Sequence, residues 1–307
     1  MERTLPRRGA AVPAKPDPAS GEPLWYIGPP NSAQPLPVGT TRSGLPRMSA
    51  QSDSGQRPKT RVRNPFTRPP KAIMRRVGKA LLDFEMIRAG DRVLLGVSGG
   101  KDSLSLLHIL GYLKGYAPVS FDLGVLTVDP QVEGFDPASL RDYYSALGVP
   151  YFYASEPIME EAKTRMRGDS FCAYCSRMKR GIMYGTCREQ GYNVLALAQH
   201  LDDLAESLLM SLFHGGQLRT MKAHYVNDAG DIRIIRPLAY VRERQTADFA
   251  AAAGFPVVPD SCPACFTAPT ERARMKELLA REESLNPQLF ASLVKALGPL
   301  MTEGGIP

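Results

Sequence analysis

Long apolar runs and abundant cysteine are both missing from this chain of 307 residues. No apolar run reaches the roughly eighteen residues that a membrane-spanning helix needs, so we expect no membrane span. The first residues lack the apolar segment of a secretory signal peptide, so we expect no secretion. Only five cysteines are present, and this odd number fits metal binding in a reducing compartment better than a disulfide framework. These absences predict a cytoplasmic protein.

The composition predicts a globular domain, a basic surface and a disordered tail. Hydrophobic residues make up 43% of the chain and charged residues 22%, which suffices for one large or two modest domains. The net charge of +7 favours a polyanionic partner such as RNA. Residues 1–70 are rich in Pro, Gly, Ser and Arg without apolar periodicity. We therefore predict a disordered tail over 1–70, either solvated or contacting RNA, and a folded domain over 71–307.

One short segment predicts a polyphosphate site, and it reads Ser98-Gly99-Gly100-Lys101-Asp102-Ser103. An apolar run precedes it and an amphipathic run follows, which indicates a strand, a glycine turn and a helix. Glycines let the backbone approach a ligand, and a helix N-terminus attracts anions. Lys101 adds a cation, and Asp102 adds a carboxylate that can hold magnesium. The spacing is neither that of a Walker A loop nor that of a dinucleotide-binding turn. The alternative is a structural turn without a ligand.

Strands and helices alternate along the rest of the folded region. Strands are predicted at about 92–97, 121–128, 151–154, 193–198 and 232–235. Helices are predicted at about 73–87, up to 115, 136–147, 157–167, from 171, 200–213, 242–253, 271–281 and 287–296. This order predicts an α/β fold, a mostly parallel sheet with helices on both faces. Asp129 and His200 follow strands, at the sheet edge where ligands bind in such folds.

Two cysteine pairs, Cys172 with Cys175 and Cys262 with Cys265, have the spacing of metal ligands. If the pairs meet in space, they give a four-thiolate zinc site or an iron–sulfur cluster. Spacing alone favours zinc, and a redox disulfide within one pair is a further alternative. Cys187 stands alone inside a predicted helix, and we interpret it as a small core residue.

Several segments occur together in one order. They are Ser98–Ser103, the CAYCSRMKRG run 172–181, the AQHLDD run 198–203, FHGG at 213–216, IRPL at 235–238 and the second cysteine pair. This order resembles the tRNA 2-thiocytidine synthetases, a branch of the PP-loop ATP pyrophosphatases with an adenine nucleotide alpha hydrolase-like fold. The resemblance covers about residues 73–300.

The resemblance implies an ATP-dependent tRNA sulfurtransferase. It implies that the C2 carbonyl of an anticodon-loop cytidine is adenylated and its oxygen replaced by sulfur, giving 2-thiocytidine. It also implies ATP, Mg²⁺ and a [4Fe–4S] cluster in place of zinc. The implied cluster ligands are Cys172, Cys175 and Cys265, whereas Cys262 is not a ligand. The implied partners are tRNA and a cysteine desulfurase as sulfur donor, and a homodimer is a candidate assembly.

The resemblance also suggests roles for single residues. The implied ATP contacts are Ser98, Gly99, Gly100, Lys101, Asp102, Ser103, Asp129 and His200. The candidate magnesium ligands are Asp102 and Asp202, and the candidate catalytic residues are Asp102, Lys179 and Asp203. The structural alternatives are a solvated cation for Lys179, a helix N-terminal pair for the two aspartates after His200, and a hydrogen-bonded histidine for His200 itself. Candidate tRNA phosphate contacts are Arg177, Lys179, Arg180, Arg188, Arg219, Lys222, Arg236, Arg242 and Arg244.

Two other functions compete with this hypothesis. One is another PP-loop tRNA thiolase, which would make 2-thiouridine. The other is a non-catalytic RNA-binding protein whose four paired cysteines hold a structural zinc. The complete phosphate loop, with both Lys101 and Asp102, favours an enzyme.

Overall fold

The computed structural model describes residues 64–165, 171–258 and 270–302. Most of the predicted tail 1–70 lies outside the described residues, as do Cys262 and Cys265. The helices are α1 (Lys71–Asp83), α2 (Lys101–Lys114), α3 (Ala138–Ala146), α4 (Ile158–Arg165), α5 (Phe171–Gln190), α6 (Leu201–Gly215), α7 (Glu243–Ala253), α8 (Glu271–Leu285) and α9 (Leu289–Leu297). The strands are β1 (Arg92–Gly96), β2 (Asp122–Asp129), β3 (Tyr151–Ser155), β4 (Val194–Ala196), β5 (His224–Val226) and β6 (Arg233–Ile235). Among these described helices, none is long and apolar enough to cross a bilayer.

The strands form one six-stranded sheet in the order β3-β2-β1-β4-β6-β5. Among the strands that the structure describes, β1 pairs in parallel with β2 and β4, and only β5 runs antiparallel to its neighbour, β6. The predicted α/β fold with a mostly parallel sheet is confirmed. The three-residue β5 was not predicted, because so short a segment carries no readable periodicity.

Side chains of β1 alternate between two hydrophobic clusters, one on each face of the sheet. Val93 and Leu95 join the cluster that contains α2, α6 and α7, whereas Leu94 joins the cluster that contains α5. All three side chains are fully buried, as expected for the middle of a parallel sheet covered on both faces.

The boundaries differ from the sequence-based prediction at the start of the domain, at the end of α1, and at the end of α8, which extends to Leu285 rather than residue 281. α1 ends at Asp83 rather than near residue 87, and Glu85 has a φ of 46° that turns the chain. The apolar pattern continues past that end because Met86 and Ile87 are buried in the core without being helical. The described domain also begins before residue 71, since the Thr67 N–H donates to His108 Nδ1 at 2.9 Å.

Candidate active site

The strand order puts a crevice at the carboxyl end of β1. The chain moves from β1 to β2 on one side and later returns to β4 on the other. Loops leave in opposite directions at such a switch point, and ligands of α/β sheets bind there. The predicted phosphate loop follows β1, Asp129 ends β2, and His200 follows β4. The topology therefore brings the three predicted segments to one edge of the sheet.

Gly99 fixes the path of the phosphate loop. Its φ is 83°, and a Cβ atom there would lie 3.0 Å from both Leu140 Cδ1 and Val258 Cβ. The Val258 N–H donates to the Gly99 carbonyl oxygen at 3.0 Å. Only glycine meets both the left-handed backbone and the close approach. Val258 therefore packs against the phosphate loop and holds the backbone of Gly99 in place.

The two serines of the loop brace its backbone. Ser103 Oγ donates to the Gly100 carbonyl oxygen at 2.9 Å, and the Gly100 N–H donates to Ser98 Oγ at 3.3 Å. Gly100 is the N-cap of α2, and the first amides of a helix have no acceptor within the helix. Those amides and the positive end of the helix dipole suit a phosphate group.

The charged residues of the loop are paired with α7. Lys101 Nζ lies 2.9 Å from Asp102 Oδ2 and 3.0 Å from Glu243 Oε1. The Thr246 hydroxyl donates to Asp102 Oδ1. Burial acts to lower the pKa of Lys101, but its bonds to the two carboxylates raise it above the usual value. Sequence reasoning missed Glu243 and Thr246, because no local motif marks them.

His200 and Asp203 cap α6 reciprocally. His200 Nδ1 accepts a bond from the Asp203 N–H at 3.3 Å, and Asp203 Oδ2 accepts one from the His200 N–H at 3.0 Å. The other ring nitrogen, His200 Nε2, lies 3.8 Å from Asp102 Oδ2. His200 therefore orders the start of α6 while its free edge faces the phosphate loop.

Asp202 and Asp129 are both engaged by the protein itself. Asp202 Oδ2 accepts from the Glu243 N–H at 2.8 Å, and its Oδ1 accepts from Arg242 Nε at 3.0 Å. Asp129 Oδ1 accepts from the Gln131 N–H at 2.7 Å. These bonds give both carboxylates a structural role. Their roles toward magnesium and ATP stay predictions.

A cavity of about 440 Å³ lies beside the phosphate loop and extends from it to Cys175 of the first cysteine pair. Its polar wall comprises Ser98, Gly100, Lys101, Asp102, Cys175 and Lys179. Its apolar wall comprises Val128, Pro130, Val132, Phe135, Met159, Val257 and Val258. Cavities of this size and mixed lining suit small molecules.

Cys175 lines this cavity from the first turns of α5. Cys172 is exposed and lies three residues before Cys175, so both project from the same side of the helix. Lys179 is one further turn along. Cys187 is buried in the core, as its interpretation as a small core residue requires. Cys265 lies outside the described residues.

Two of the predicted tRNA contacts are wrong, because their side chains are buried in bonds within the protein. Arg242 forms a bidentate pair with Glu283 at 2.6 and 2.7 Å and stacks over the Phe290 ring. Arg236 donates to Gln199 Oε1 at 3.0 Å and is 6% exposed. Both arginines order the core beneath the site.

Comparisons with known proteins agree with the fold and this loop. The family described as a PP-loop domain matches residues 70–282. A tRNA-cytidine(32) 2-sulfurtransferase of Geobacter sulfurreducens is 42% identical over 229 residues, which is 74% of this chain and 89% of that protein. One of Aliivibrio salmonicida is 38% identical over 234 residues, 76% of each chain. The solved U34-tRNA thiolase NcsA from Methanococcus maripaludis, with its [4Fe-4S] cluster, has a TM-score of 0.61 at 21% identity. It covers 76% of this chain and 80% of its own.

The matched sheet and phosphate loop make this protein a member of the PP-loop class. At this level of identity and coverage, the chain belongs to the tRNA-cytidine(32) 2-sulfurtransferase family, whose members are transferases. The alternative of a non-catalytic RNA-binding protein is therefore wrong.

Proposed function

We propose that this enzyme uses ATP to thiolate a cytidine in the tRNA anticodon loop, giving 2-thiocytidine. The observation that carries the proposal is the shared cavity, which Lys101 and Asp102 line together with Cys175 and Lys179. A nucleotide at the loop and a sulfur source at the cysteines would then meet over one base. The names of the relatives supply the cytidine. We expect the enzyme in the cytoplasm, where tRNA and reduced thiols occur together.

In the first step the loop binds ATP and an adenylate forms. The amides at the start of α2 and the Lys101 ammonium hold the β- and γ-phosphates. Asp102 would hold Mg²⁺, which neutralises charge on the departing pyrophosphate. The cytidine C2 oxygen forms a bond to the α-phosphorus as the bond to pyrophosphate breaks. The C2 oxygen is thereby converted into part of an AMP leaving group.

The second step replaces that oxygen by sulfur. Cys172 and Cys175 fit a cluster site, because thiolates are its usual ligands and Cys175 lines the cavity. With Cys265 they would hold a [4Fe–4S] cluster, which supplies the bound sulfur that replaces the activated oxygen. A cysteine desulfurase would provide this sulfur as a persulfide, and a two-electron reductant such as a thiol would release it as sulfide. Lys179, at the same wall, would stabilise the AMP phosphate as the C2–O bond breaks. The assignment of Asp203 to proton transfer remains part of the proposal.

The test is thiolation of tRNA in vitro by the full-length protein, purified and reconstituted without oxygen. We expect 2-thiocytidine by nucleoside mass spectrometry, and a loss of at least about 100-fold in Cys172→Ala, Cys175→Ala and Cys265→Ala. Cys187→Ala, away from the cavity, should keep activity, and Cys262→Ala should retain part of it. Iron content near four per chain is expected for the proposed cluster.

Other products or metals would contradict the proposal. A 2-thiouridine product would point to the other class of thiolase. Zinc without iron in an active protein would reject the cluster. A loss in Cys262→Ala equal to that in Cys265→Ala would reject the set of three ligands.

A further inference from the structure

Glu243 opens α7 behind the phosphate loop, at a position that no sequence motif marks. α7 packs along α2, and the buried Thr246 accepts a bond at its carbonyl oxygen from Ser105 Oγ at 3.2 Å. The Thr246 hydroxyl donates to the Asp102 carboxylate. The first turn of α7 is therefore fixed against the turn of α2 that carries the loop charges.

The Glu243 carboxylate holds two lysines from distant parts of the chain. Its Oε1 lies 3.0 Å from Lys101 Nζ, and its Oε2 lies 2.6 Å from Lys276 Nζ in α8. Burial acts to raise the pKa of Glu243, but the hydrogen bonds and charges of Lys276 and Lys101 lower it to about 2. Glu243 is consequently ionised, and both of its oxygens are occupied.

Glu243 does not line the cavity that holds the Lys101 ammonium. Lys101 lines the cavity of about 440 Å³, whereas Glu243 and Lys276 line a neighbouring cavity of about 300 Å³, and Asp102 lines both. An acid at the start of a helix is ordinarily explained by the helix dipole. That explanation does not require a contact with a lysine 142 residues away.

We propose that Glu243 is a positioning residue for the phosphate loop, and that Lys276 fixes its carboxylate so that Lys101 stays at the cavity wall. This inference rests on the ATP-binding step of the proposed function. A lysine held in place loses less side-chain entropy when the phosphates bind. If Glu243 acted through its charge alone, it would instead repel the triphosphate. The two explanations therefore predict opposite effects of removing the Glu243 charge on ATP binding: weaker binding if Glu243 positions Lys101, and tighter binding if it only repels the phosphates.

The first experiment measures ATP and AMP binding to the purified full-length protein by calorimetry. Glu243→Gln should weaken ATP binding about tenfold through the loss of this preorganisation. AMP binding should be unchanged, since Lys101 is expected to hold the phosphates that AMP lacks. Glu277→Gln is the matched control, because it removes the same charge from an exposed position on α8. Unchanged or tighter ATP binding in Glu243→Gln would overturn the proposal.

The second experiment asks whether Lys276 acts through Glu243. Lys276→Met should weaken ATP binding about threefold, and the double variant should bind no more weakly than Glu243→Gln alone. Additive losses would mean that Lys276 contacts the nucleotide directly, which would overturn the proposal. Because Lys276 is exposed, this variant also serves if Glu243→Gln fails to fold. Wild-type protein that binds no ATP would reject the proposed function as well, whereas normal binding in every variant would reject this inference alone.

Discussion

The two polar walls of the cavity are built in opposite ways. We call residues 98–102 the phosphate-loop wall and the face of α5 that carries Cys175 and Lys179 the cysteine-helix wall. The first is locked, since Gly99 fits only as glycine and Lys101 has two carboxylate partners. The second is less deeply embedded, since Cys187 is the only fully buried residue among the twenty of α5, all of which the structure describes, and Cys175 and Lys179 are half-buried.

This difference matches two kinds of ligand. A triphosphate is small and highly charged, and it binds best to groups already fixed in place. A base presented by a folded RNA needs an accessible surface, because recognition of RNA usually targets unstacked bases in loops. The comparison therefore suggests that the phosphate-loop wall determines nucleotide binding and the cysteine-helix wall determines what is done to the RNA.

The largest expected effect comes from removing the lysine of each wall. Lys101→Met should weaken ATP binding about 100-fold, because it removes charge-assisted bonds and leaves two carboxylates facing the phosphates. Lys179→Met should leave ATP binding within about threefold while slowing tRNA thiolation at least tenfold. Calorimetry and nucleoside mass spectrometry measure the two quantities, with Lys295→Met, at an exposed position on α9, as a control. Equal loss of ATP binding in both variants would erase the proposed division between the walls.

A smaller effect, on the free energy of unfolding, is expected from replacing one glycine in the phosphate loop and one in α5. Gly99→Ala should lower the free energy of unfolding by about 2 kcal/mol, because its φ of 83° and the 3.0 Å contacts with Leu140 and Val258 strain any side chain. Gly181→Ala, in the middle of α5 with open space at its Cβ, should raise it by about 0.5 kcal/mol. Urea denaturation of both variants measures this. A stable Gly99→Ala protein would show that the loop is less rigid than its geometry indicates.

The phosphate-loop wall could be predicted from sequence, because its chemistry lies within six neighbouring residues between a strand and a helix. The position of the cysteine pair in the same cavity could be inferred only through a family resemblance. No local pattern says that α5 packs on the face of the sheet against β2 and β4, on either side of β1. Five strands could be predicted because each is a buried parallel strand or directly follows a strong turn. β5 could not be predicted, because it has only three residues and lies at the edge of the sheet.

The partners of the loop could not be predicted, since they are tertiary contacts. Glu243 meets Lys101 across 142 residues, and the intervening sequence gives no sign of it. Charge alone was also misleading for arginine. Arg242 was expected at the RNA surface, but its guanidinium is enclosed by Asp202 and Glu283. A sequence shows that a residue is basic, whereas only the packing shows whether its charge is already neutralised.

The smallest predicted effect is on the pH dependence of stability. It is tested at two buried titratable groups, Glu206 of α6 and Cys187 of α5. Burial, followed by the charge of Asp203, raises the pKa of Glu206 to about 7, against the opposing charges of Arg272 and Lys276. Burial raises the pKa of Cys187 to about 12, so this thiol stays neutral at any physiological pH. Of these two groups, only Glu206 should therefore make stability depend on pH in the neutral range.

The direction in which stability changes with pH follows from proton binding by Glu206. Between the ordinary glutamate pKa of 4.5 and about 7, the folded protein binds the Glu206 proton more tightly than the unfolded chain does. Stability contributed by this proton is lost as the pH rises through that window, so Glu206→Gln should gain about 1 to 2 kcal/mol relative to wild type between about pH 5 and pH 8. Cys187→Ala should differ from wild type by the same amount at both pH values, because neither side chain titrates there. Urea titrations at the two pH values measure both differences. A Glu206→Gln difference that does not change with pH would mean that Arg272, at 3.2 Å, keeps the carboxylate ionised throughout.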